Sequence, residues 1–474
     1  MITDELKYQI HRHFPFVPTS EQESAFEVFS SFITDRDAHS VMILRGSAGT
    51  GKTSLAGAVV KTMVSLKQKV MLLAPTGRAA KVFSLNSAHD AFTIHRRIYR
   101  QKSFSGVMGV FNLNDNLYHD TLFIIDEASM ISNQGLSDTS FGSGRLLDDL
   151  IQYVYSGQNC RMMLLGDKAQ LPPIGEEESP ALIASVLNGY GLHVFQSDLN
   201  EVLRQSQQSG ILYNATVIRQ MITHDELTQL PKIRFAGFAD IKMVHGDELI
   251  ECLAGSYSEV GIDETMVITR SNKRANIYNQ GIRNMVLGRE ESLTTGDMLM
   301  IVKNNYYWTE REKSTISFIA NGDRAEVQRV RNIREFYGFR FADVALHFPD
   351  YDNYEMQTTV ILDSLMSESP SLTRQQNEQL FNAIMEDYTD TPLKSDRIRK
   401  IRQDEYYNAV QIKYGYAITC HKAQGGQWAH IYLDQGYMTD EMLTPDYIHW
   451  LYTAFTRATE KLFLVNWPTT QTET

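Results

Sequence analysis

Short apolar runs alternate with helical segments over roughly the first 200 residues of the chain. The runs VMILRG, VMLLAP, TLFIIDEA and RMMLLGD are each long enough for one buried strand, and helix-forming stretches separate them. Continuous apolar strands joined by helices are typical of a parallel sheet with both faces covered. The pattern therefore predicts an α/β domain over residues 1–198.

The same rhythm returns after residue 199 but is interrupted. The strand ETMVITR precedes the interruption, and YGYAITC, HIYLDQ and KLFLVNW follow it. Between them, GDMLMIVKNNYYW and FIANGDRAEVQRV have the pattern of strands in a small β-barrel, and residues 364–405 look helical, polar and exposed. We predict a second parallel-sheet domain from residues 199–291 and 415–474, with the barrel and a helical extension inserted at 292–414.

One segment of the first domain does not fit the alternation of strands and helices. Residues 97–116 are polar and contain glycines, as in YRQKSFSGVMGVFNLN, and their side chains alternate in character. This pattern predicts a β-hairpin inserted into the first domain.

Charge and composition narrow the class of protein. The net charge is −12, which taken alone argues against a nucleic-acid partner, although a groove can be locally basic in an acidic protein. The chain has no apolar run of about twenty residues and no signal-peptide pattern, so a cytoplasmic protein without a membrane partner is expected. The three cysteines are far apart, which argues against a disulfide framework or a zinc site.

The strongest chemical signal is GSAGTGKT, which lies between an apolar strand and a helix. It matches the G-x-x-x-x-G-K-[ST] pattern of a P-loop, in which backbone N–H groups surround the phosphates of a nucleotide. The lysine reaches the β and γ phosphates, and the final hydroxyl binds Mg²⁺. The predicted ATP-binding residues are Gly46, Ser47, Ala48, Gly49, Thr50, Gly51, Lys52 and Thr53.

Two further strands end in polar residues that suit ATP hydrolysis. Asp126 and Glu127 follow TLFII, where Asp126 would hold Mg²⁺ and Glu127 would polarise the attacking water. Gln170, in LLGDKAQLPPIG, could sense the γ-phosphate. Each element has a simpler interpretation in isolation, as a solvated strand end or a proline-stiffened turn. The P-loop upstream favours the catalytic interpretation.

With these motifs the sequence resembles the superfamily-one helicases of the RecD-like and Dda-like class. The matching motifs occur in family order and include PTSEQ, GSAGTGKT, LAPTGRAAK, TIHR, DEAS, GDKAQLPPIG, EVLRQ, YAITCHKAQGGQW and YTAFTRA. The resemblance implies two RecA-like domains with an SH3-like barrel in the second. It also implies ATP-dependent movement along single-stranded DNA, in the 5′-to-3′ direction, with unwinding of duplex DNA.

The same resemblance assigns further residues to the ATP site. Gln22 would read the adenine edge. Arg204 and Arg457 would reach the γ-phosphate from the second domain, as arginine fingers supplied within the chain. Without the family, either arginine would be read as an exposed helix residue.

DNA contacts also follow from the resemblance. The residues it implies are Thr76, Thr93, His95, Thr419, His421 and Lys422. Hydroxyls and backbone N–H groups suit phosphates because they bind any sequence. His95 and His421 could equally be structural histidines. The hairpin corresponds in position to the strand-splitting pin of the family, with Phe104 and Phe111 as candidate wedge residues.

Other functions fit the sequence less well. A translocating ATPase that needs a partner, such as a nuclease complex, would share every ATP-site residue and stays open at this point. A P-loop kinase or GTPase is disfavoured because SNKR lacks the acid of a guanine-reading motif, and a scaffold with a dead ATP site is disfavoured because the catalytic residues are all present. The expected partners are single-stranded DNA and its junctions with duplex, with a single-strand-binding protein or nuclease as candidate protein partners. A monomer in DNA repair or recombination is expected.

Overall fold

The computed structural model describes residues 2–101, 111–135, 141–201, 208–224, 229–311, 316, 318–351 and 353–473. It contains two parallel sheets and a closed barrel. Within the described residues, no helix combines the length and apolar character needed to cross a membrane.

The first parallel sheet has six strands, and a separate pair of short strands forms the hairpin. The strands are β1 (Ser40–Gly46), β2 (Lys69–Ala74), β3 (Ala91–Thr93), β4 (Tyr99–Gln101), β5 (Phe111–Leu113), β6 (Thr121–Ile125), β7 (Arg161–Gly166) and β8 (His193–Leu199). The sheet order is β3-β2-β6-β7-β1-β8, and β4 pairs antiparallel with β5. The two strands of the predicted hairpin are therefore present, and the intervening residues 102–110 lie outside the described part of the chain.

Helices cover both faces of this sheet. They are α1 (Ile2–His13), α2 (Ser20–Ile33), α3 (Lys52–Ser65), α4 (Gly77–Ser87), α5 (Ile94–Ile98), α6 (Leu146–Ser156) and α7 (Ala184–Gly189). Helix α2 begins with a capping box, in which Thr19 and Gln22 each bind the other's backbone N–H. The strands between the helices are buried on both sides, as their continuous apolar sequence predicts.

The second sheet is assembled from both sides of the insertion. Its elements are α8 (Gly210–His224), β9 (Ile241–Val244), α9 (Leu249–Glu259), β10 (Thr265–Thr269) and α10 (Asn272–Gly281), and beyond the insertion β16 (Ala417–Thr419), α14 (Cys420–Ala423), β17 (Trp428–Asp434), α15 (Pro445–Phe455) and β18 (Ala458–Val465). The strand order is β16-β10-β17-β18-β9, and every pair is parallel.

The insertion is a closed five-stranded barrel with a helical extension. It contains β11 (Met298–Ile301), α11 (Tyr307–Arg311), β12 (Arg324–Phe336), β13 (Phe339–Phe348), β14 (Tyr354–Ile361), α12 (Arg374–Asp387), α13 (Lys394–Arg402) and β15 (Val410–Tyr414). The outer parts of β12 and β13 extend beyond the barrel and pack with α12 and α13 around Phe341 and Ile384. The predicted fold class, two parallel-sheet α/β domains with a barrel in the second, is confirmed.

Candidate active site and nucleic-acid interface

The P-loop is held in shape by contacts within the first domain. Gly51 precedes helix α3 with φ of +81°, a conformation that glycine adopts without the strain of a side chain. The Lys52 ammonium donates to the Gly46 carbonyl oxygen at 3.1 Å. Gln22 is buried and its amide nitrogen donates to the Thr50 carbonyl oxygen at 2.9 Å. Gln22 therefore supports the loop in this structure, and its part in adenine recognition stays a prediction.

The two acids follow strand β6 at the same edge of the sheet. The Glu127 backbone N–H donates to Asp126 Oδ1 at 2.9 Å, and Glu127 has φ of +52°, a left-handed conformation that is uncommon outside glycine. Burial, and after it the Glu127 carboxylate, raise the pKa of Asp126 above its usual range, and the charge of Lys52 opposes that shift. A bound cation would stabilise the ionised form of such a buried carboxylate and so lower its pKa.

Arg457 reaches this site from the second domain. It follows helix α15 and is buried, and its guanidinium donates to the carbonyl oxygens of Thr453 and Gly426. One guanidinium nitrogen lies 3.7 Å from Glu127 Oε1. The structure thus brings Arg457 together with the acids, and its contact with the γ-phosphate stays a prediction. Arg204 lies outside the described residues.

A cavity of about 390 Å³ separates the two domains at this point. First-domain residues that line it include Lys52, Thr53, Asp126, Glu127 and Gln170, and Arg457 faces them. Gln170 Oε1 is buried and has no hydrogen-bond partner among the described residues, so it remains available for a ligand in the cavity. The hydroxyl of Thr53 and the carboxylate of Asp126 are hard oxygen ligands of the kind that Mg²⁺ prefers.

The loop that carries Gln170 is held by the second domain. The Tyr452 hydroxyl accepts from the Ala48 N–H of the P-loop at 3.0 Å and donates to Asp167 Oδ2 at 2.6 Å. The Leu171 backbone N–H donates to the Thr453 hydroxyl at 2.8 Å, and the carbonyl oxygens of Ala169 and Leu171 accept from His449 and Gln424. Burial raises the pKa of Asp167, while the Lys52 charge and the Tyr452 hydroxyl stabilise its ionised form. These contacts from the second domain therefore fix the position of the loop that carries Gln170.

The threonines predicted to contact DNA share one structural position. Thr76, Thr93 and Thr419 each follow a parallel strand and precede a helix, at the ends of β2, β3 and β16. Thr76 and Thr93 accept a backbone N–H from their helices. Helix N-termini at the carboxyl ends of strands are positions at which proteins bind phosphate groups. The geometry is suitable for backbone contacts, and the contacts themselves stay predictions.

The histidines and lysine of the same set differ in their surroundings. His95 packs edge-on against Phe141 at 4.9 Å, and burial lowers its pKa to about 4, so its ring is neutral at pH 7. Burial and the nearby Lys413 lower the pKa of Lys422 to about 8. Burial also lowers the pKa of Lys413 to about 8. A backbone phosphate would relieve the repulsion between these two lysines. His421 is exposed beside them.

The two domains touch directly at Gly425, which has φ of +72°. A methyl group at this position would lie 3.1 Å from the Ala79 side chain and 3.2 Å from Thr76 Oγ1. Both the backbone conformation and the close approach require glycine here.

Phe111 does not occupy the position expected of a wedge. Only 2% of it is exposed, and its ring lies 4.3 Å from Tyr306 and 5.0 Å from Phe141. A wedge has to meet the DNA at the surface, so the prediction for Phe111 is corrected: its ring anchors the base of the hairpin to the barrel segment. Phe104 lies outside the described residues.

The barrel also contacts the first domain through charged residues. Arg78 and Lys81 each lie 3.5 Å from the buried carboxylate of Asp350. Arg96 stacks on the Tyr351 ring at 3.7 Å, and the Tyr351 hydroxyl donates to Asp323. These contacts place the barrel against the helices that begin at Thr76 and Thr93.

Comparisons with known proteins agree with this geometry. The chain matches the AAA domain family over residues 19–229 and the UvrD-like helicase C-terminal domain family over residues 414–465. It is 22% identical to the ATP-dependent DNA helicase dda of Enterobacteria phage T4 over 431 residues, which cover 86% of this chain and 90% of that protein. The chain belongs to the superfamily-one helicases. This family couples ATP hydrolysis to the unwinding of DNA, and the predicted enzyme class is confirmed.

Two further similarities cover different shares of the chain. It is 31% identical to the ATP-dependent RecD2 DNA helicase of Deinococcus radiodurans over 159 residues, which cover 33% of this chain and 20% of that protein. The crystal structure of Pif1 helicase from Bacteroides in complex with ADP-AlF3 and ssDNA aligns with 97% of the chain and 95% of its own, at 14% identity and a TM-score of 0.46. The helicase assignment rests on the sequence matches, which do not favour a translocase that cannot unwind.

Several residues of the site carry no recognisable signal in the sequence. Tyr452 and Thr453 lie within the YTAFTRA motif, in which the family resemblance points to Arg457 alone. Lys413 lies just before YGYAITC, in a strand of the barrel. Its unusual feature is burial without a paired carboxylate among the described residues, and only the fold makes that visible.

Proposed function

We propose that this protein moves along single-stranded DNA in the 5′-to-3′ direction and unwinds duplex DNA, with ATP hydrolysed in the cavity between its two parallel-sheet domains. The observation that carries the proposal is the cavity itself, where Lys52 and Glu127 of one domain face Arg457 of the other. The polarity rests on the resemblance to RecD-like and Dda-like helicases.

Each ATP-site residue has a role that its position supports. Lys52 and the backbone N–H groups of the P-loop hold the β and γ phosphates. Glu127 accepts a hydrogen bond from the attacking water and orients it, and Arg457 stabilises the charge that develops on the γ-phosphate. Thr53 and Asp126 would hold Mg²⁺, which offsets phosphate charge when bound.

The contacts of the closed cleft suggest how hydrolysis drives movement. With ATP bound, the γ-phosphate lies between Lys52 and Arg457 and favours closure. After hydrolysis and phosphate release that link is broken, and the cleft can open. Thr76 and Thr419 lie on opposite domains. The distance between these two DNA-binding positions therefore decreases as the cleft closes and increases as it opens. Alternating grip on the two sides then produces net movement.

The DNA-binding residues and the pin complete the proposal. Backbone phosphates bind at Thr76, Thr93 and Thr419, with Lys422 and Lys413 supplying positive charge. The hairpin whose base is formed by β4 and β5 separates the strands. A role in DNA repair or recombination, and an association with a single-strand-binding or nuclease partner, stay predictions.

The decisive test compares two duplexes that differ only in the polarity of a single-stranded tail. With ATP, we expect strand separation of the 5′-tailed duplex and none of the 3′-tailed duplex. Lys52→Ala serves as the inactive control, since it removes the phosphate contact. Unwinding of the 3′-tailed duplex alone would overturn the polarity. ATPase activity stimulated by single-stranded DNA without unwinding of either duplex would overturn the helicase proposal.

A further inference from the structure

A groove on the barrel has the chemistry of a second DNA-binding site. It measures about 540 Å³ and lies on the face of β12, β13 and β14, beside helix α11. Four arginines and two carboxylates line it, which leaves two positive charges in excess in a chain whose net charge is −12. A local excess of positive charge on an otherwise acidic protein indicates a surface that binds an anionic partner.

The register of the strands explains the shape of the groove. Arg329 pairs across the sheet with Ala345, which pairs with Gln357. Arg331 pairs with Asp343, which pairs with Thr359. Strand β12 thus presents two arginines on one face, and the neighbouring strands β13 and β14 present smaller side chains. The groove therefore has a basic rim.

The arginines of the rim differ in how they are neutralised. Arg334 binds Asp343 at 2.6 Å, and Arg311 lies 3.3 Å from Glu405. Arg329 and Arg331 are exposed, and no carboxylate of the described residues forms an ion pair with them. They stand two residues apart on one strand, or about 7 Å at roughly 3.3 Å per residue. This separation is similar to that of successive phosphates along an extended DNA strand.

The position of the groove identifies which DNA it would meet. Tyr306, which packs on Phe111 at the base of the hairpin, directly precedes the helix that supplies Trp308 and Arg311 to the groove. None of the residues predicted to contact the tracked strand lines the groove. The groove therefore lies beside the proposed point of strand separation and apart from the path through the cleft.

We propose that the groove binds the phosphate backbone of the displaced strand as it leaves the hairpin. The proposal rests on the proposed function, since a displaced strand exists only if the protein unwinds duplex DNA. Binding this strand keeps it away from the tracked strand and opposes re-annealing behind the junction. Arginine contacts to phosphate are independent of sequence, as a moving site requires.

The test uses Arg329→Glu combined with Arg331→Glu, and two 5′-tailed duplexes, one with a 3′ displaced tail and one without. In the wild-type protein we expect the displaced tail to tighten binding and speed unwinding. In the double variant that advantage disappears, while ATPase stimulated by single-stranded DNA stays at the wild-type level. The salt dependence of binding to the tailed fork should weaken by about 1.4 in log–log slope, or roughly 0.7 for each phosphate contact removed.

Matched controls separate this site from general effects of charge. Lys394→Glu with Arg399→Glu makes the same charge change on exposed positions of α13, and it should leave fork unwinding unaltered. Arg329→Gln with Arg331→Gln is a milder double variant with a smaller risk to folding. It should lose the advantage of the displaced tail in the same way. A displaced tail with uncharged methylphosphonate linkages should behave in the wild-type protein as if it were absent.

Three results would overturn the inference. The double variant could retain the full advantage of the displaced tail. The α13 control could lose it equally, which would indicate a general charge effect. The double variant could also lose stimulation by single-stranded DNA, which would assign the groove to the tracked strand. If the wild-type protein unwinds neither duplex, the proposed function itself fails, and that outcome is distinct from all three.

Discussion

Tyr452 links the P-loop to the loop of Gln170 across the cleft, and its hydroxyl can be removed alone. Tyr452→Phe retains the buried ring but deletes the acceptor for the Ala48 N–H and the donor to Asp167. Both contacts join helix α15 of the second domain to loops of the first domain, so they are lost if the cleft opens. We therefore expect the variant to destabilise the closed state rather than the individual domains.

The size of the effect follows from the two hydrogen bonds that the substitution removes. A hydrogen bond to a charged group contributes roughly 1.5–3 kcal/mol, and a buried N–H left without an acceptor adds a further penalty. In the open state water satisfies both partners, so about 2 kcal/mol is a conservative figure for the change in the closure free energy. That corresponds to roughly 30-fold in the closure equilibrium.

The assay is steady-state ATP hydrolysis at saturating single-stranded DNA. ATP binding has to supply the missing closure free energy, so the apparent KM for ATP should rise by up to about 30-fold. The value of kcat should fall less, since saturating ATP restores closure. A role limited to protein stability would change neither parameter at a temperature where the variant is folded.

Tyr432→Phe is the matched control. Its hydroxyl is buried in the second domain, donates to the Cys252 carbonyl oxygen at 2.6 Å and lies 2.7 Å from Ser256 Oγ, and Tyr432 does not line the cavity between the domains. This control loses a buried hydrogen bond without affecting closure, so its KM should equal that of the wild type. An unchanged KM in Tyr452→Phe, or an equal rise in both variants, would refute the reasoning.

Glu127→Gln should bind ATP normally in a fluorescent-nucleotide titration and lose nearly all hydrolysis; normal turnover would remove Glu127 from catalysis. The affinity for single-stranded DNA, measured by anisotropy at constant ionic strength, should fall as the pH rises from 7 to 9, because Lys413 and Lys422 lose charge through their pKa values of about 8, and a flat profile would contradict this role. Gly425→Ala should reduce DNA-stimulated ATPase activity at least severalfold by disfavouring closure, and wild-type activity would show that the contact is dispensable. Phe111→Ala should lower stability by about 3–5 kcal/mol in denaturant unfolding, as expected of a buried anchor, whereas an exposed wedge would show almost no change.

The ATP site was largely predictable because its chemistry is local. The P-loop requires fixed residue types at fixed spacing between a strand and a helix, and the acids must follow a strand of the same sheet. Parallel strands end at one edge, so Lys52 and Asp126 had to come close together. The split of the second domain was also visible, since apolar parallel strands resume at YGYAITC after a region of different pattern.

What the sequence could not indicate depends on packing between distant segments. The burial of Phe111 arises from Tyr306, almost two hundred positions later in the chain, and no local pattern distinguishes an anchor from a wedge. The bridge of Tyr452 to Ala48 and Asp167 likewise joins three separate motifs. The basic groove on the barrel could be recognised only from the register of β12 against β13, because that pairing puts Arg329 beside Ala345.

The strand order of the second sheet has a consequence for biosynthesis. The first sheet uses only residues 40–199, so it can form while the remainder of the chain is still being made. In the second sheet, β9 is an edge strand that pairs, among the strands the structure describes, with β18 alone, and Ile241 is paired to Leu462. This sheet cannot be completed until β18 has left the ribosome. At about 5–20 residues per second, that happens roughly 15 to 50 s after the last strand of the first sheet has been made. During that interval the nascent chain presents a folded P-loop without Arg457, so it can bind nucleotide before it can hydrolyse it.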